Sequence, residues 1–420
     1  MTTLYKQLDQ FIDDHFDEQV VFLQKLIQVP TDTPPGNNTP HALRTVELLK
    51  EMGLACEQYA VPETEAKAVG LTSITNLISK VEFGAGGKTI ALNAHGDVVP
   101  PGEGWSIDPY GGVIKHGKIY GRAAAVSKSD FSTFTFATRA LCATLAKTGV
   151  RAAGRVELQF TYDEEFGGEL GPGYLLRNQL TKPDMVIAAG FSYQVVTAHN
   201  GCLQLEVTVT GQMAHAAVPD TGVDALQATH AVLTVLYAEN ERYKSILSQF
   251  EGIRHPYLNV GVIEGGTNTN VVPGKVVLKL DRRMIPEESS ATVERDLRAL
   301  IEHTAQSLQG RFPGLRVAVK RLILAESMKP LPGNLPLVKA IQKHGQAIFG
   351  EPIPAVGTPL YTDVRLYAAQ GIPGVIYGAG PRTILESHAK RSDERLDLED
   401  LRKATKVVAR TLADLLCAET

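Results

Sequence analysis

The chain has 420 residues, more than one ordinary hydrophobic core serves, and this length predicts roughly two domains. Hydrophobic residues make up 44% and charged residues 21%, a composition that excludes a disordered, collagenous or coiled-coil architecture. The 42 basic and 46 acidic residues give a formal net charge of -4, which argues against a nucleic-acid partner bound through a basic field.

The N-terminal segment and the cysteines predict a cytoplasmic protein. The sequence MTTLYKQLDQFIDDHFDEQ is acidic and amphipathic, unlike a signal peptide. No apolar run approaches the ~20 residues that span a bilayer, so we expect no membrane partner. The cysteines lie far apart without a CxxC pair, which indicates neither a disulfide framework nor a thiolate zinc site; they are Cys56, Cys142, Cys202 and Cys417.

The first part of the chain alternates predicted helices and short strands. Apolar spacing predicts helix through the first ~30 residues, and again later. In chain order the further elements are a helix at His41–Met52, strands at Leu77–Val81, Thr89–Asn93 and Val113–Ile114, a helix at Phe131–Lys147, a strand at Val156–Thr161, a helix at Gly173–Asn178 and a strand at Met185–Ala189. This alternation predicts an α/β fold, a sheet with helices on both faces.

The pattern changes near Gly201, where LQLEVTVTG alternates as a half-buried antiparallel strand does. The elements that follow are a helix at Asp224–Glu239, strands at Tyr257–Glu264 and Lys275–Arg283, a helix at Ser290–Leu308 and a strand at Leu315–Leu324. This β-α-β-β-α-β order is typical of a ferredoxin-like α+β sandwich. Elements at Leu335–Ile348, Gly374–Tyr377 and Leu398–Leu416 resume the first pattern. We therefore predict one α/β domain, residues 1–200 and 318–420, interrupted by an inserted domain, residues 201–317.

His95 and Asp97 follow the predicted strand Thr89–Asn93 in the segment AHGDVVP. The carboxylate of such a pair can hold one imidazole N–H and direct the other ring nitrogen toward a metal. His-x-Asp is a common sequence, so an ordinary structural role is the alternative.

Asp163, Glu164 and Glu165 follow the apolar strand Val156–Thr161. Ligands of α/β sheets bind beyond strand ends, and adjacent carboxylates are costly to bury without a cation or proton. One carboxylate could bind a metal while its neighbour acts as a general base. The alternative is a solvated acidic turn.

Four further segments carry polar residues whose patterns are weak when taken singly. They are TVTGQMAHAAVPDTGVDAL with His215, IEGGTNTNVVPGKVVLKLDRR with Asn270 and Arg282, GTPLYTDVRLYAAQGIPGVIYGAG with Gly357, Thr358 and Arg365, and ESHAKRSDERL with His388.

In this order the six segments resemble the M20 family of metallopeptidases and deacylases, enzymes of the acetylornithine deacetylase, succinyl-diaminopimelate desuccinylase and aminoacylase type. The most specific stretch is ALNAHGDVVPPGEGWSIDPYGGVIKHGKIYGRA. The resemblance implies a catalytic α/β domain with two zinc ions, an inserted lid domain that forms a homodimer, and hydrolysis of a small-molecule amide.

The resemblance also implies roles by position. Glu164 would be the general base, Asp97 the orienting carboxylate, and His215 the group that stabilises the oxyanion in a partner subunit's site. The implied metal ligands are His95, Glu165 and His388. The implied substrate-binding residues, with arginine suited to a carboxylate, are Asn270, Arg282, Gly357, Thr358 and Arg365.

Two expected metal-ligand positions hold residues that cannot bind a cation. Val126, in GRAAAVSKSDF, stands where the family has a bridging aspartate, and Ala189 stands where it has a terminal carboxylate. Two divalent ions ~3.5–4 Å apart depend on a bridging anion, so a dinuclear centre is doubtful. We expect instead an altered or single zinc site, with cobalt or manganese as alternatives, to which Asp130 could contribute.

The favoured interpretation is an amidohydrolase that cleaves a small N-acyl amino acid or dipeptide-like amide with water activated by Glu164. One alternative is a metal-independent hydrolase, for which Ser127 and Lys128 would suggest a Ser–Lys nucleophile. Another is a non-catalytic homologue that binds a ligand or partner in the same cleft.

Overall fold

A computed structural model describes residues 1–417 and shows a mixed α/β fold with several sheets. Its helices are α1 (Thr2–Asp14), α2 (Phe16–Ile27), α3 (Thr39–Glu51), α4 (Glu63–Ala68), α5 (Lys128–Thr148), α6 (Pro172–Arg177), α7 (Ala225–Tyr243), α8 (Ser290–Ser307), α9 (Leu335–Phe349), α10 (Val364–Ala369), α11 (Ile384–Ser387) and α12 (Leu398–Leu416). No helix of this part of the chain is long and apolar enough to cross a membrane.

The strands give the predicted alternation and add short elements that the sequence pattern did not indicate. They are β1 (Glu57–Ala60), β2 (Thr75–Gly84), β3 (Lys88–His95), β4 (Val113–Lys115), β5 (Lys118–Tyr120), β6 (Gly154–Thr161), β7 (Met185–Ala188), β8 (Val195–His199), β9 (Gly201–Thr210), β10 (Ala214–His215), β11 (Tyr257–Gly265), β12 (Val271–Val272), β13 (Lys275–Met284), β14 (Arg316–Ala325), β15 (Ala355–Thr358), β16 (Gly374–Ile376) and β17 (Arg395–Asp397).

The chain divides into two compact units. Unit 1 consists of Met1–Thr197, Pro330–Val356 and the residues from Thr362 onward. Unit 2 consists of Ala198–Lys329 and Gly357–Tyr361. The expected boundary after residue 317 falls inside β14, whose backbone pairs with β9, and unit 2 therefore continues to Lys329.

The large sheet has the strand order β1-β2-β6-β3-β7-β16-β8-β15. Its centre is parallel, since β3 runs parallel to β6 and β7, whereas β1 and β2 are antiparallel neighbours at one edge. Helix α5 packs against α1, α2 and α12, and buries Phe131, Phe134 and Phe136 in the main core of unit 1. Burial of such aromatic side chains supplies much of the driving force for folding.

The register of β3 and β6 positions the candidate site. His95, the last residue of β3, is aligned with Thr161, the last residue of β6. The segments that leave these two neighbouring parallel strands therefore begin side by side, at the sheet edge where α/β proteins bind their ligands.

Unit 2 contains the predicted element order β9-α7-β11-β13-α8-β14. Its antiparallel sheet has the strand order β11-β13-β9-β14. Leu203, Leu205, Val207 and Val209 of β9 are buried together with apolar residues of α7 and α8, as the alternating pattern predicts. This core is separate from the core of unit 1.

Candidate active site

The first pair of site residues lies at the end of β3. The Nδ1 atom of His95 is 3.0 Å from the carbonyl oxygen of Asp97 and 3.4 Å from its Oδ1. Both residues are buried, with Asp97 fully enclosed. Because Nδ1 faces acceptors on Asp97, its proton is held there and the Nε2 atom is turned away from Asp97.

The second pair lies in a short 3₁₀ turn, Glu164–Phe166, that follows β6. The Glu164 Oε2 atom is 3.9 Å from His95 Nε2. The backbone N–H of Glu165 donates to Asp97 Oδ2 at 3.0 Å, so Asp97 joins the two strand ends. We call His95, Asp97, Glu164 and Glu165 the β3–β6 site.

Burial and charge together set the protonation of this site. Burial raises the pKa of Glu164 to about 7, while the positive charges of His95 and Lys390 oppose the rise. Burial alone would lower the pKa of His95, but the carboxylates of Glu164 and Asp97 outweigh it and raise the value to about 10. An imidazolium beside a carboxyl group that titrates near neutrality is a suitable arrangement for moving protons.

Two buried aspartates lie beside the site: Asp163, which the acidic segment included without a role of its own, and Asp363, for which no role was predicted. Burial raises the pKa of Asp163 to about 8, and raises the pKa of Asp363 well above its ordinary value. A Cβ at Gly168 would lie 2.1 Å from Asp363 Oδ1, and one at Gly171 would lie 2.3 Å from Asp163 Oδ1. The glycines of the segment FGGELG leave room for these two aspartate side chains, and they were the sequence feature that could have indicated the close approach.

Glu165 is paired with a lysine that the sequence analysis did not identify. The Lys390 ammonium lies 2.7 Å from Glu165 Oε2. The Glu165 side chain is only 7% exposed, whereas that of Lys390 is 55% exposed. The negative charge of Glu165 is therefore already balanced by the chain itself.

His388 makes its contacts with its own segment. Its Nδ1 atom is 3.1 Å from the carbonyl oxygen of Ser392, which can only accept, so Nδ1 carries the proton. Two guanidinium nitrogens of Arg395 lie 3.2 Å from the two ring nitrogens, so the guanidinium group lies against the imidazole ring. The positive charge of Arg395 beside His388 disfavours a metal cation there.

Asp130 does not take the place of the missing bridge. Both its oxygens accept backbone hydrogen bonds, Oδ1 from Ala379 at 2.7 Å and Oδ2 from Gly190 at 3.2 Å. Burial raises the pKa of Asp130 to about 7. The carboxyl group connects α5 to the loops after β7 and β16, and this explains its burial without a cation.

The side chains as placed do not fit the expected zinc site. Within residues 1–417 no three or more His, Cys, Asp or Glu side chains are arranged to hold a metal ion. The surroundings agree, because the positive charge of Arg395 lies beside His388, Lys390 pairs with Glu165, and backbone N–H groups donate to Asp130.

The Ser–Lys nucleophile is not formed either. The Ser127 hydroxyl donates to the carbonyl oxygen of His95 at 2.8 Å, and Lys128 donates to the carbonyl oxygen of Val29 at 2.8 Å. Lys128 is fully buried, and burial lowers its pKa to about 7. These residues hold β3 and the loop after α2, which is a structural role.

Arg365, the expected substrate-binding residue of unit 1, is almost buried. One guanidinium nitrogen donates to the carbonyl oxygen of Gly167, and another lies 3.6 Å from Glu169. The side chain therefore contacts the glycine-rich turn that follows Glu164 and Glu165.

In unit 2, His215 ends β10, and Asn270 immediately precedes β12, the strand that pairs with β10. The N–H of Ala216 donates to the Asn270 carbonyl at 2.9 Å, and His215 is exposed. The His215 Nδ1 atom accepts from the N–H of Ala217 at 3.0 Å, which leaves the proton on Nε2. His215 thus presents a hydrogen-bond donor at the surface of this unit.

The remaining expected substrate residues of unit 2 have contacts within that unit. Arg282 is buried, pairs with Glu288 at 2.5 Å and lies over the ring of Tyr243, so its role as placed is to stabilise unit 2. The N–H of Gly357 donates to the Glu251 carbonyl at 2.6 Å, and the Thr358 carbonyl accepts from the N–H of Asn200 at 3.1 Å.

The protein is thus of the mixed α/β class, with a His–Asp pair and two partly buried glutamates at adjacent strand ends. Residues 91–414 match peptidase family M20/M25/M40, and the chain belongs to this family. It is accordingly a hydrolase of amide bonds.

Similar proteins agree with this membership. The chain is 27% identical over 379 residues to the acetylornithine deacetylase of Proteus mirabilis, covering 88% of each protein. Its fold is similar to that of a Saccharomyces cerevisiae di-peptidase, with a TM-score of 0.78, 16% identity and 99% coverage of both chains. It is also similar to an M20 family metallo-carboxypeptidase of Sulfolobus solfataricus, with a TM-score of 0.75, 19% identity, and coverage of 95% and 99%.

Proposed function

We propose that this chain hydrolyses the amide bond of a small N-acyl amino acid or dipeptide-like substrate, with Glu164 as the general base. The observation that carries the proposal is the β3–β6 site, in which Glu164 Oε2 lies 3.9 Å from His95 Nε2. The names of the similar deacetylase and di-peptidase support the substrate class.

The chemistry follows from the groups present. Glu164 takes a proton from water, the hydroxide oxygen bonds to the amide carbon, and the carbon–nitrogen bond breaks as Glu164 returns the proton to the leaving amine. Asp97 holds the His95 ring, and the positive charge of His95 offsets charge that develops beside Glu164. No step is assigned to a metal, because the side chains of the described residues are not arranged to hold one.

We assign binding to the remaining expected residues as part of the same proposal. Arg365 supports the Glu164 turn and would contact the carboxylate end of the substrate. Gly357 and Thr358 would also bind substrate. His215, with Asn270 beside it, would supply its Nε2–H to the oxyanion from the partner subunit of a homodimer. The orientation of the His215 donor supports this role.

Replacing Glu164 tests the proposal. We expect Glu164→Gln to lower kcat/KM by about 100-fold or more, because general-base catalysis contributes that much, with an unchanged circular dichroism spectrum. Activity is measured on N-acetyl, N-succinyl and N-carbamoyl amino acids and on dipeptides, with and without added zinc, cobalt or manganese.

Glu47→Gln is the control, since the Glu47 side chain is 63% exposed and lies on α3. Full activity of the Glu164→Gln variant would remove Glu164 from the mechanism. A wild-type protein that cleaves no amide in the panel would refute the proposal and favour a ligand-binding homologue.

A further inference from the structure

The segment that carries Lys390 is held in an unusual backbone conformation. His388, Lys390 and Asp393 have φ values of 54°, 61° and 54°, in the left-handed region that residues other than glycine rarely adopt. Such a turn persists only where the surrounding structure maintains it. The backbone at Lys390 is therefore held in place by its neighbours, although the lysine side chain itself is flexible.

Contacts with a second loop maintain this turn. The Asp393 carboxylate accepts hydrogen bonds from the backbone N–H and the hydroxyl of Ser106 at 2.9 and 2.8 Å. The buried Glu394 carboxylate pairs with Arg122 at 2.7 Å and accepts from the N–H of Ala125 at 3.1 Å. The turn is therefore anchored at the residues that directly follow Lys390, which faces Glu165.

The cations of this segment lie where a divalent ion would be expected. Lys390 is 2.7 Å from the Glu165 carboxylate, and the Arg395 guanidinium is 3.2 Å from both ring nitrogens of His388. Val126 and Ala189, where the resemblance places the other carboxylates, carry no donor atom in their side chains. A divalent ion would have to displace Lys390, would be repelled by Arg395 and would still lack its bridge.

We infer that the Lys390 ammonium takes the charge-balancing place of a divalent metal ion in the β3–β6 site, so that the protein works without one. An ammonium is a compact positive charge on a flexible stem, suited to balancing a single carboxylate. Lys390 is in this sense a positioning residue, because it acts on the reaction through Glu165. The role of Lys390 in catalysis rests on the proposed function. The test of the inference does not, because it measures zinc binding.

Zinc uptake by the full-length protein tests the inference directly. After removal of metals with a chelator, the wild-type protein is dialysed against zinc and its zinc content is measured by elemental analysis. We expect substoichiometric zinc in the wild type. In Lys390→Ala, loss of the ammonium leaves the carboxylates unbalanced, and we expect zinc affinity to rise by about tenfold or more.

Two variants serve as controls. Lys390→Arg keeps the positive charge and should bind as little zinc as the wild type. Lys80→Ala removes a lysine from a comparable Lys–Glu pair, with Glu57 at 2.8 Å, away from the site and should leave zinc binding unchanged. Circular dichroism verifies the fold of each variant.

Stoichiometric zinc in the wild type overturns the inference, whatever the activity. Unchanged zinc affinity in Lys390→Ala overturns the assignment to Lys390. Amidase activity that survives the chelator supports metal independence, and activity that requires added metal contradicts it. Absence of any amidase activity refutes the proposed function alone, because the zinc measurement still decides the inference.

Discussion

Arg122 and Glu394 form an ion pair in the interior of the protein. Both side chains are 1% exposed and their atoms are 2.7 Å apart. Burial raises the pKa of Glu394, while Arg122 and the backbone N–H of Ala125 oppose the rise. The pair joins the segment after β5 to the turn that carries Lys390.

Removing one charge of this pair should be costly. We expect Glu394→Gln to lower the free energy of unfolding by about 3–5 kcal/mol, because Arg122 is left as an unpaired buried charge. Urea unfolding followed by circular dichroism measures the loss. The double variant Arg122→Met with Glu394→Met should recover a large part of it. A single variant as stable as the wild type would show that the pair is not needed.

At the scale of elements, a polar cluster connects α1, α9 and α12. The Asp414 carboxylate accepts from the Tyr5 hydroxyl, from Lys343 Nζ at 2.7 Å and from His344 Nε2 at 2.9 Å. Burial by itself raises the pKa of Asp414, but hydrogen bonds from His344, Lys343 and Tyr5 outweigh it and hold the pKa well below its ordinary value.

This cluster should make stability depend on pH in the acid range. The folded pKa of Asp414 lies below the unfolded value of about 3.9, so its contribution is fully present above that value and is lost as pH falls through the folded pKa. We expect Asp414→Asn to reduce the free energy of unfolding by about 1.5–3 kcal/mol at neutral pH, and by less as pH decreases.

Urea unfolding at a series of pH values measures this difference between the variant and the wild type. Asp13→Asn is the control, because the Asp13 side chain is 38% exposed and its pair with Lys406 should contribute about 1 kcal/mol or less. A difference for Asp414→Asn that stays constant down to strongly acid pH would contradict the assignment.

At the scale of the whole molecule, each unit has its own hydrophobic core. Leu158 of β6 is fully buried in the core of unit 1, and Leu278 of β13 is fully buried in the core of unit 2. Since the two clusters are separate, a substitution that destabilises one core should first increase local unfolding within its own unit.

We expect Leu158→Ala and Leu278→Ala each to destabilise its own unit by about 2–5 kcal/mol, through lost burial and the cavity that remains. Hydrogen exchange monitored by mass spectrometry should show faster exchange in unit 1 peptides for the first variant and in unit 2 peptides for the second. Equal acceleration across both units in either variant would show that they unfold as one.

Much of the site could be predicted because its residues directly follow two strands that are recognisable in the sequence. His95 and Asp97 follow one strand and Glu164 and Glu165 follow another, so the parallel pairing of β3 with β6 suffices to bring them together. The helices and strands were predictable for a similar reason, since apolar periodicity records which face is buried. His15, with φ -111°, divides the first predicted helix into α1 and α2, and no pattern indicated that break.

The sequence by itself determined the family, the α/β pattern and the acidic strand ends, because these depend on residue type and spacing along the chain. Only the tertiary structure decided that Lys390 pairs with Glu165, that Arg395 engages His388 and that Asp130 binds backbone N–H groups. The Lys390–Glu165 and Ala379–Asp130 contacts join residues 225 and 249 positions apart, and the Arg395–His388 contact depends on a turn with left-handed residues. Their geometry is set by the packing of distant segments and by this uncommon turn, which no spacing along the chain encodes.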